Sequence, residues 1–292
     1  MENLLLKKPK IIIPTKQKKS RKSRKSLIIN KKETRGRKPL STKSTSLFNP
    51  SLIKTFRGSD LTFGDGIFQP IKTGNEVDVI LSTEGGLMPA TNMILVGSPG
   101  SGKTTVALDM LADMVEQGYK CLFISAEMDE ISYFKYCKRL PKIAKVPVLF
   151  LNNYTDHFKE TLDYVLNEGY DAVCIDSIAE VIESFKIVYR TTESAAEKWL
   201  LELQQKHKKG ENKYKYYTSF INIQQVTKAG EFVGSNRLKH MMDAMMHVDR
   251  SKDGLERSLY FSKNRDSDKD YKVYFTIMNN KVHYSYETKE EE

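Results

Sequence analysis

The apolar positions of this chain fall into two rhythms that alternate. Short unbroken apolar runs at 93–96, Cys121–Ser125, 148–151, Ala172–Asp176 and 220–223 predict strands buried on both faces. Between them the apolar spacing turns helical. Val106, Ala107, Met110, Leu111 and Met114 share one face of a helix that ends near Gly118. Further helical patterns fall at about 156–167 and 193–207, the second burying Ala196, Trp199, Leu200 and Leu203. Strand and helix in alternation predict an α/β fold with a mostly parallel central sheet flanked by helices. The end of the chain differs. Runs at 244–248, 258–262, Val273–Met278 and 282–286 read as strands with short connections, and Asp253-Gly254 and Asn279-Asn280 carry hairpin-turn chemistry. They extend the sheet with antiparallel strands.

Composition adds one boundary. The chain has 292 residues, 39% of them hydrophobic, which allows one sizeable core plus a tail. Its net charge of +10 is unevenly placed. Residues 1–45 hold 16 Lys/Arg and 2 acids, leaving 31 basic against 35 acidic residues in the remainder. The Lys/Arg/Ser-rich segment 1–46, nearly free of aromatics, is expected to be a disordered basic tail. Its short aliphatic patches at 11–13 and 27–29 are candidate docking points. Residues 47–66, with Phe48, Phe56 and Phe63, read as a linker or adaptor, and 67–292 as the folded domain. There is no apolar run of about 18 residues for a membrane span and no apolar leader with a small-residue cleavage site. Cys121, Cys137 and Cys174 form no CxxC pair, so a reducing compartment is expected and no zinc site.

The candidate chemistry begins where the first strand ends. Gly97-Ser98-Pro99-Gly100-Ser101-Gly102-Lys103-Thr104 matches G-x-x-x-x-G-K-[ST], with a strand before it and a helix after. Glycines let backbone N–H groups curl around phosphate oxygens, and the helix N-terminus adds a favourable dipole. Lys103 is assigned to the β/γ-phosphates of ATP, Thr104 to Mg²⁺, and Thr105 to the same cradle. Asp176 closes an apolar strand, where an acid holds Mg²⁺ through water. Glu127 follows the Cys121–Ser125 strand and is the candidate for orienting and deprotonating the attacking water; Asp129 and Glu130 compete for that role.

Several further segments resemble one family. Ile71-Lys72-Thr73-Gly74, Asp78 to Leu81 and Gly85-Gly86-Leu87 resemble the entry to RecA-fold ATPases, especially the RadA/Sms branch. Ser125-Ala126-Glu127-Met128 resembles the catalytic-glutamate segment of RadA and of DnaB-type helicases. Gln225-Val226-Thr227-Lys228-Ala229-Gly230 resembles the RadA segment His-Val-Thr-Lys-Glu-Gly, and the stretch from Arg237 to Asp243 its following helix. Lys263-Asn264-Arg265 resembles the start of the RadA Lys-Asn-Arg-Phe-Gly motif, here followed by Asp266-Ser267. The resemblance spans about 67–286 and implies a RecA-like P-loop NTPase core. It is that of a minimal, phage-type relative without RadA's zinc element or Lon-like domain. It further implies a ring or filament of identical subunits with ATP between neighbours. Lys263 or Arg265 would then reach the neighbour's γ-phosphate, and Gln224 or Gln225 would couple its loss to a DNA-facing loop from Thr227 to Asn236 that includes Lys228.

Two other places suggest nucleic acid. The tail run from Lys18 to Lys25 can neutralise phosphates without sequence preference. Arg35-Gly36-Arg37-Lys38-Pro39 resembles an AT-hook, with Lys38 interrupting the Arg-Pro step. In the core, Tyr189-Arg190 and the segment 184–192 lie where RecA-fold proteins place a DNA-contacting loop, and their aromatic and basic content suits single-strand binding. Together these predict a DNA-dependent ATPase of recombination, repair or replication, cytoplasmic and associated with DNA, with ATP and Mg²⁺ as cofactors and no membrane partner. The alternative is a nucleotide-gated DNA-binding scaffold or packaging accessory with little turnover.

Overall fold

Nine strands form one sheet in the order β3-β2-β4-β5-β1-β6-β7-β8-β9 in the computed structural model of the chain, which describes residues 54–226, 235–251, 254, 256–267 and 271–286. The sheet belongs to a compact unit running from Gly58 to Glu292; of a separate unit from Met1 to Arg57, only residues 54–57 are described, and they are exposed. The tail residues Arg35, Arg37 and Lys38, and Lys228 of the segment 227–234, lie outside the described residues.

Six strands run parallel: β1 (Asn92–Gly97), β2 (Cys121–Ser125), β3 (Val148–Phe150), β4 (Ala172–Asp176), β5 (Ser219–Gln225) and β6 (Ala244–Arg250). Their unbroken apolar sequences follow from being covered on both sides. In β1, Met93 and Leu95 join a core with the helix after it, while Ile94 and Val96 point into a second core on the other face. The first core is closed by α2 (Lys103–Glu116), whose Leu108, Met110 and Leu111 are fully buried. Each of those side chains contributes about 1.5–3 kcal/mol of burial. The second core is closed by α4 (Phe158–Leu166), α5 (Ile178–Tyr189), α6 (Glu193–Lys208) and α7 (Asn236–Met241). The short α1 (Asp78–Leu81) lies before the sheet, and α3 (Glu130–Arg139) packs with a 3-10 turn, Pro141–Lys145, beside α2.

The last three strands are antiparallel, as their turns require: β7 (Arg257–Asn264), β8 (Val273–Met278) and β9 (Lys281–Tyr286). Asn279 and Asn280 have φ of 51° and 60°, the pair of positive values that a two-residue type I′ hairpin demands and that Asn tolerates. Strand β7 starts at the level of Arg250 and finishes beside Ala244, so it spans the sheet from the carboxyl ends of the parallel strands to their amino ends.

A buried polar cluster joins this antiparallel extension to the parallel core. Asp109 of α2 is inaccessible; Lys142 sits 2.7 Å from it and 2.7 Å from Asp113, and the Tyr284 hydroxyl donates to Asp109 at 3.0 Å. Burial raises the Asp109 carboxyl to about 6 against the opposing pull of Lys142.

The periodicity read from sequence holds for the strands and for α2, α4 and α6, with ends shifted by one or two residues. It missed α3 and α5. In α3 only Tyr133 is buried, so there is little apolar stripe to detect. In α5 the residues Ile178, Val181, Ile182, Ile187 and Val188 blur helix and strand signals. The expected surface loop at 184–192 is instead the last turn of α5, an Arg190 cap at φ 47°, and the start of α6.

Candidate nucleotide site

Four neighbouring parallel strands, β2-β4-β5-β1, end at the same edge, and each delivers a polar residue there. Carboxyl ends of parallel strands are where α/β folds open a crevice. Ser125 pairs with Asp176 across β2 and β4, and Gly97 pairs with Gln225 across β1 and β5. Past β2 the chain turns over the end of β4, where the N–H groups of Ala126 and Glu127 donate to the Asp176 carbonyl at 2.7 and 3.2 Å. Glu127 is thereby carried to the pocket. The result is a cavity of about 340 Å³ lined by Gly100, Gly102, Lys103, Thr104, Thr105, Glu127, Asp176 and Gln225, among others.

The loop between β1 and α2 has the backbone that its glycines allow. Gly100 and Gly102 have φ of 77° and 112°. A Cβ at Gly97 would fall 2.4 Å from the Val248 carbonyl oxygen, so the loop's first position is closed to any side chain. Lys103 donates from Nζ to the Gly97 and Ser98 carbonyls at 2.8 and 3.0 Å. Burial lowers its pKa, with Asp176 and Glu127 pulling the other way. Thr104 donates from Oγ1 to Asp176 Oδ2 at 2.7 Å, which brings a hydroxyl and a carboxylate together. Asp176 is 2% exposed, and burial raises it to about 6, Glu127 adding to the rise while Thr104 and Lys103 oppose it.

This arrangement fits a nucleotide with Mg²⁺. The loop is a backbone cradle, the buried Ser101 hydroxyl has no partner among the described residues, and the Thr104–Asp176 pair is an oxygen donor set of the kind Mg²⁺ takes. Among the described residues no three His, Cys, Asp or Glu side chains gather as a protein-only metal site.

The competitors of Glu127 are occupied elsewhere. Asp129 caps α3 by accepting from Ser132 N, and Glu130 accepts from Asn153. Gln225 lines the cavity and is exposed, whereas Gln224 is buried. Lys263 and Arg265 lie at the opposite edge of the sheet, at the far end of β7. Lys263 donates to the carbonyls of Met242 and His240, and Arg265 pairs with Asp243 at 3.0 Å while remaining 61% exposed. Tyr189 is turned inward, its ring 4.7 Å from Phe185 and under Lys159, and Arg190 is exposed.

Sequence reading missed five pocket residues, one of them Ile223 of β5, which it read only as a strand position. Tyr136 and Arg139 sit one helical turn apart on α3, with the guanidinium 4.6 Å from the ring, and Arg139 donates to Thr105 Oγ1 at 3.3 Å. Their signal was the i,i+3 aromatic–Arg pair after Glu127. Arg257 and Ile277 come from the antiparallel strands, and only the pairing of β6, β7 and β8 brings them there.

Comparison with known proteins agrees with the geometry. The family model "ATPase: KaiC" matches residues 71–142, which include the loop, Glu127 and α3. The chain is 29% identical over 192 residues to the DNA repair protein RadA of Campylobacter jejuni, covering 65% of this chain and 40% of that one. It is 28% identical over 187 residues to the DNA repair protein RadA of Chlamydia muridarum, covering 62% and 38%. It thus spans about two fifths of the length of these curated relatives. Among solved structures, the KaiC-like protein PH0186 of Pyrococcus horikoshii superposes with a TM-score of 0.56 at 16% identity, over 74% of this chain and 99% of that one. The RadB recombinase gives 0.50 at 20% identity, over 73% and 98%.

Proposed function

From the premise that this chain is a RecA-fold ATPase-superfamily protein close to RadA, we propose that it hydrolyses ATP to drive an action on DNA in recombination or repair. The observation that carries the reading is the convergence of Lys103, Thr104, Glu127, Asp176 and Gln225 on one cavity from four adjacent strand ends. The loop N–H groups and Lys103 bind the triphosphate, the ammonium exchanging its two loop carbonyls for phosphate oxygen. Thr104 and Asp176 hold Mg²⁺, which when bound neutralises charge on the phosphates. Tyr136 and Arg139 offer a ring and a guanidinium for the purine base. Glu127 orients a water and accepts its proton, and Gln225 at the end of β5 connects the γ-phosphate to the segment that follows the strand.

The RadA relatives are named for DNA repair, and the tail supplies a phosphate-binding charge run; both support DNA as the partner. Placement of Lys263 and Arg265 at the edge opposite the cavity suits a contact with a neighbouring subunit's nucleotide, so that assembly completes the site.

The test is ATP turnover with and without single-stranded DNA. DNA stimulation that vanishes in Lys103→Ala and Glu127→Gln is the expected result. Turnover indifferent to DNA would overturn the DNA-driven action. ATP-dependent assembly with negligible turnover would favour the scaffold reading instead.

A further inference from the structure

We propose that Arg257 is a nucleotide-binding residue of this chain's own pocket, its guanidinium gripping the diphosphate portion of the ligand. The inference rests on the nucleotide reading above and adds to it a cation that comes from outside the P-loop core.

Position comes first. Arg257 opens β7, and along that strand Leu259 and Phe261 face the core that α2 closes. Side chains alternate along a strand, so Arg257 shares their face and points to the α2 side. Its register partner is Phe275 on β8. Both lie over the loop: a Cβ on Gly102 would be 3.3 Å from the Phe275 ring and 3.8 Å from Arg257 Cδ. A Cβ at Gly102 would press on the Phe275 ring and stand in ordinary contact with the arginine stem, so the stem runs directly over the loop at this point.

Arg257 lines the cavity, and its buried Nε has no hydrogen-bond partner among the described residues. No ion pair to Arg257 exists among them either, although Asp176 and Glu127 line the same cavity. A buried donor without a partner is costly, and an arginine is always charged. The ligand that answers both is an anion, and the guanidinium's planar fork matches phosphate.

Location along the ligand selects which phosphate. Glu127, Gln225 and the Thr104–Asp176 pair mark the end where the γ-phosphate reacts. Tyr136 and Arg139 mark the base. Arg257 Cδ lies 3.8 Å from the point a Cβ on Gly102 would occupy, over the loop whose N–H groups take the phosphates, which assigns it to the diphosphate. A contact there is common to ATP and ADP. It therefore holds the nucleotide without favouring the reacting state.

The experiment is equilibrium binding of ATP and of ADP, each with Mg²⁺, to full-length wild-type, Arg257→Ala, Arg257→Lys and Lys103→Ala proteins, with ATPase kinetics alongside. Arg257→Ala is expected to weaken ATP and ADP by the same factor, about 10- to 100-fold for a lost charged hydrogen bond. KM should rise while kcat holds, the signature of uniform binding. Arg257→Lys should restore part of the affinity, since it keeps the charge and loses the fork. That variant also decides the matter should the alanine protein fail to fold. Unchanged affinity for both nucleotides in either folded variant overturns the proposal. Loss for ATP alone overturns the diphosphate assignment. Wild-type protein that binds neither nucleotide overturns the function reading itself, an outcome separate from a silent Arg257 in a protein that binds normally.

Discussion

Gly102 is asked for two things at once. It must hold a φ of 112°, and it must leave room for the Phe275 ring, 3.3 Å from the point a Cβ would occupy. The first strains any L side chain there, and the second would make the Phe275 ring give way by a few tenths of an ångström. Gly102→Ala is expected to lower ATP affinity at least 10-fold while changing the midpoint of urea unfolding little, because the loop lies at the surface of the sheet's edge. Equal affinity by nucleotide titration would show that the loop shape does not need glycine there. The neighbouring Lys103 had a clear sequence signal and Arg257 none. The P-loop motif is local, eight consecutive residues whose spacing is their chemistry. Arg257 reaches the same cavity only through the ladder of β6 with β7 and β7 with β8, which no local pattern encodes.

At the scale of elements, the joint between α2 and the C-terminal hairpin is polar rather than oily. Asp109, Lys142, Asp113 and Tyr284 form it, and Asn75 donates to Asp113 at 2.7 Å from the segment before α1. Lys142→Met takes the cation from the buried Asp109 carboxyl and leaves it only the Tyr284 hydroxyl as a partner, so the group must be held as a desolvated charge or take up a proton. The expected cost is about 3 kcal/mol in denaturant unfolding, and Asp109→Asn in the same chain should recover part of it. Additivity of the two changes would show that the groups do not act together. Asp109 also gives a pH signature. Burial holds its folded pKa at about 6, above the ordinary carboxylate value of 3.8, so the folded state binds the extra proton between those values. Stability therefore falls as pH rises from about 4 to 6, and Asp109→Asn should flatten that part of the profile in thermal melts. The strands and the amphipathic helices were legible because burial on one or both faces writes a period into the residues. Helix α5 was not, because its β-branched apolar residues satisfy both periods. Nor was this joint, whose Asp, Lys and Tyr look like surface residues until the fold closes over them.

For the whole molecule, charge and chemistry are segregated. The basic excess belongs to residues 1–45, while the remainder carries more acid than base. Removing residues 1–46 is expected to raise the DNA Kd and to reduce the slope of log affinity against log salt, leaving kcat at saturating DNA unchanged. A fall in kcat in that measurement would mean that the tail takes part in turnover. The sheet itself is divided the same way by β7. That strand starts with Arg257 at this chain's cavity and, about 20 Å further on, ends with Lys263 and Arg265 at the far edge. Strand β7 pairs with β6 from Arg257 to Asn264, with one register irregularity opposite Met245 and Met246. If its far end meets a neighbour's nucleotide, one strand then has a foot in two fuel chambers. What empties one chamber would then be felt in the other through the backbone of a single strand.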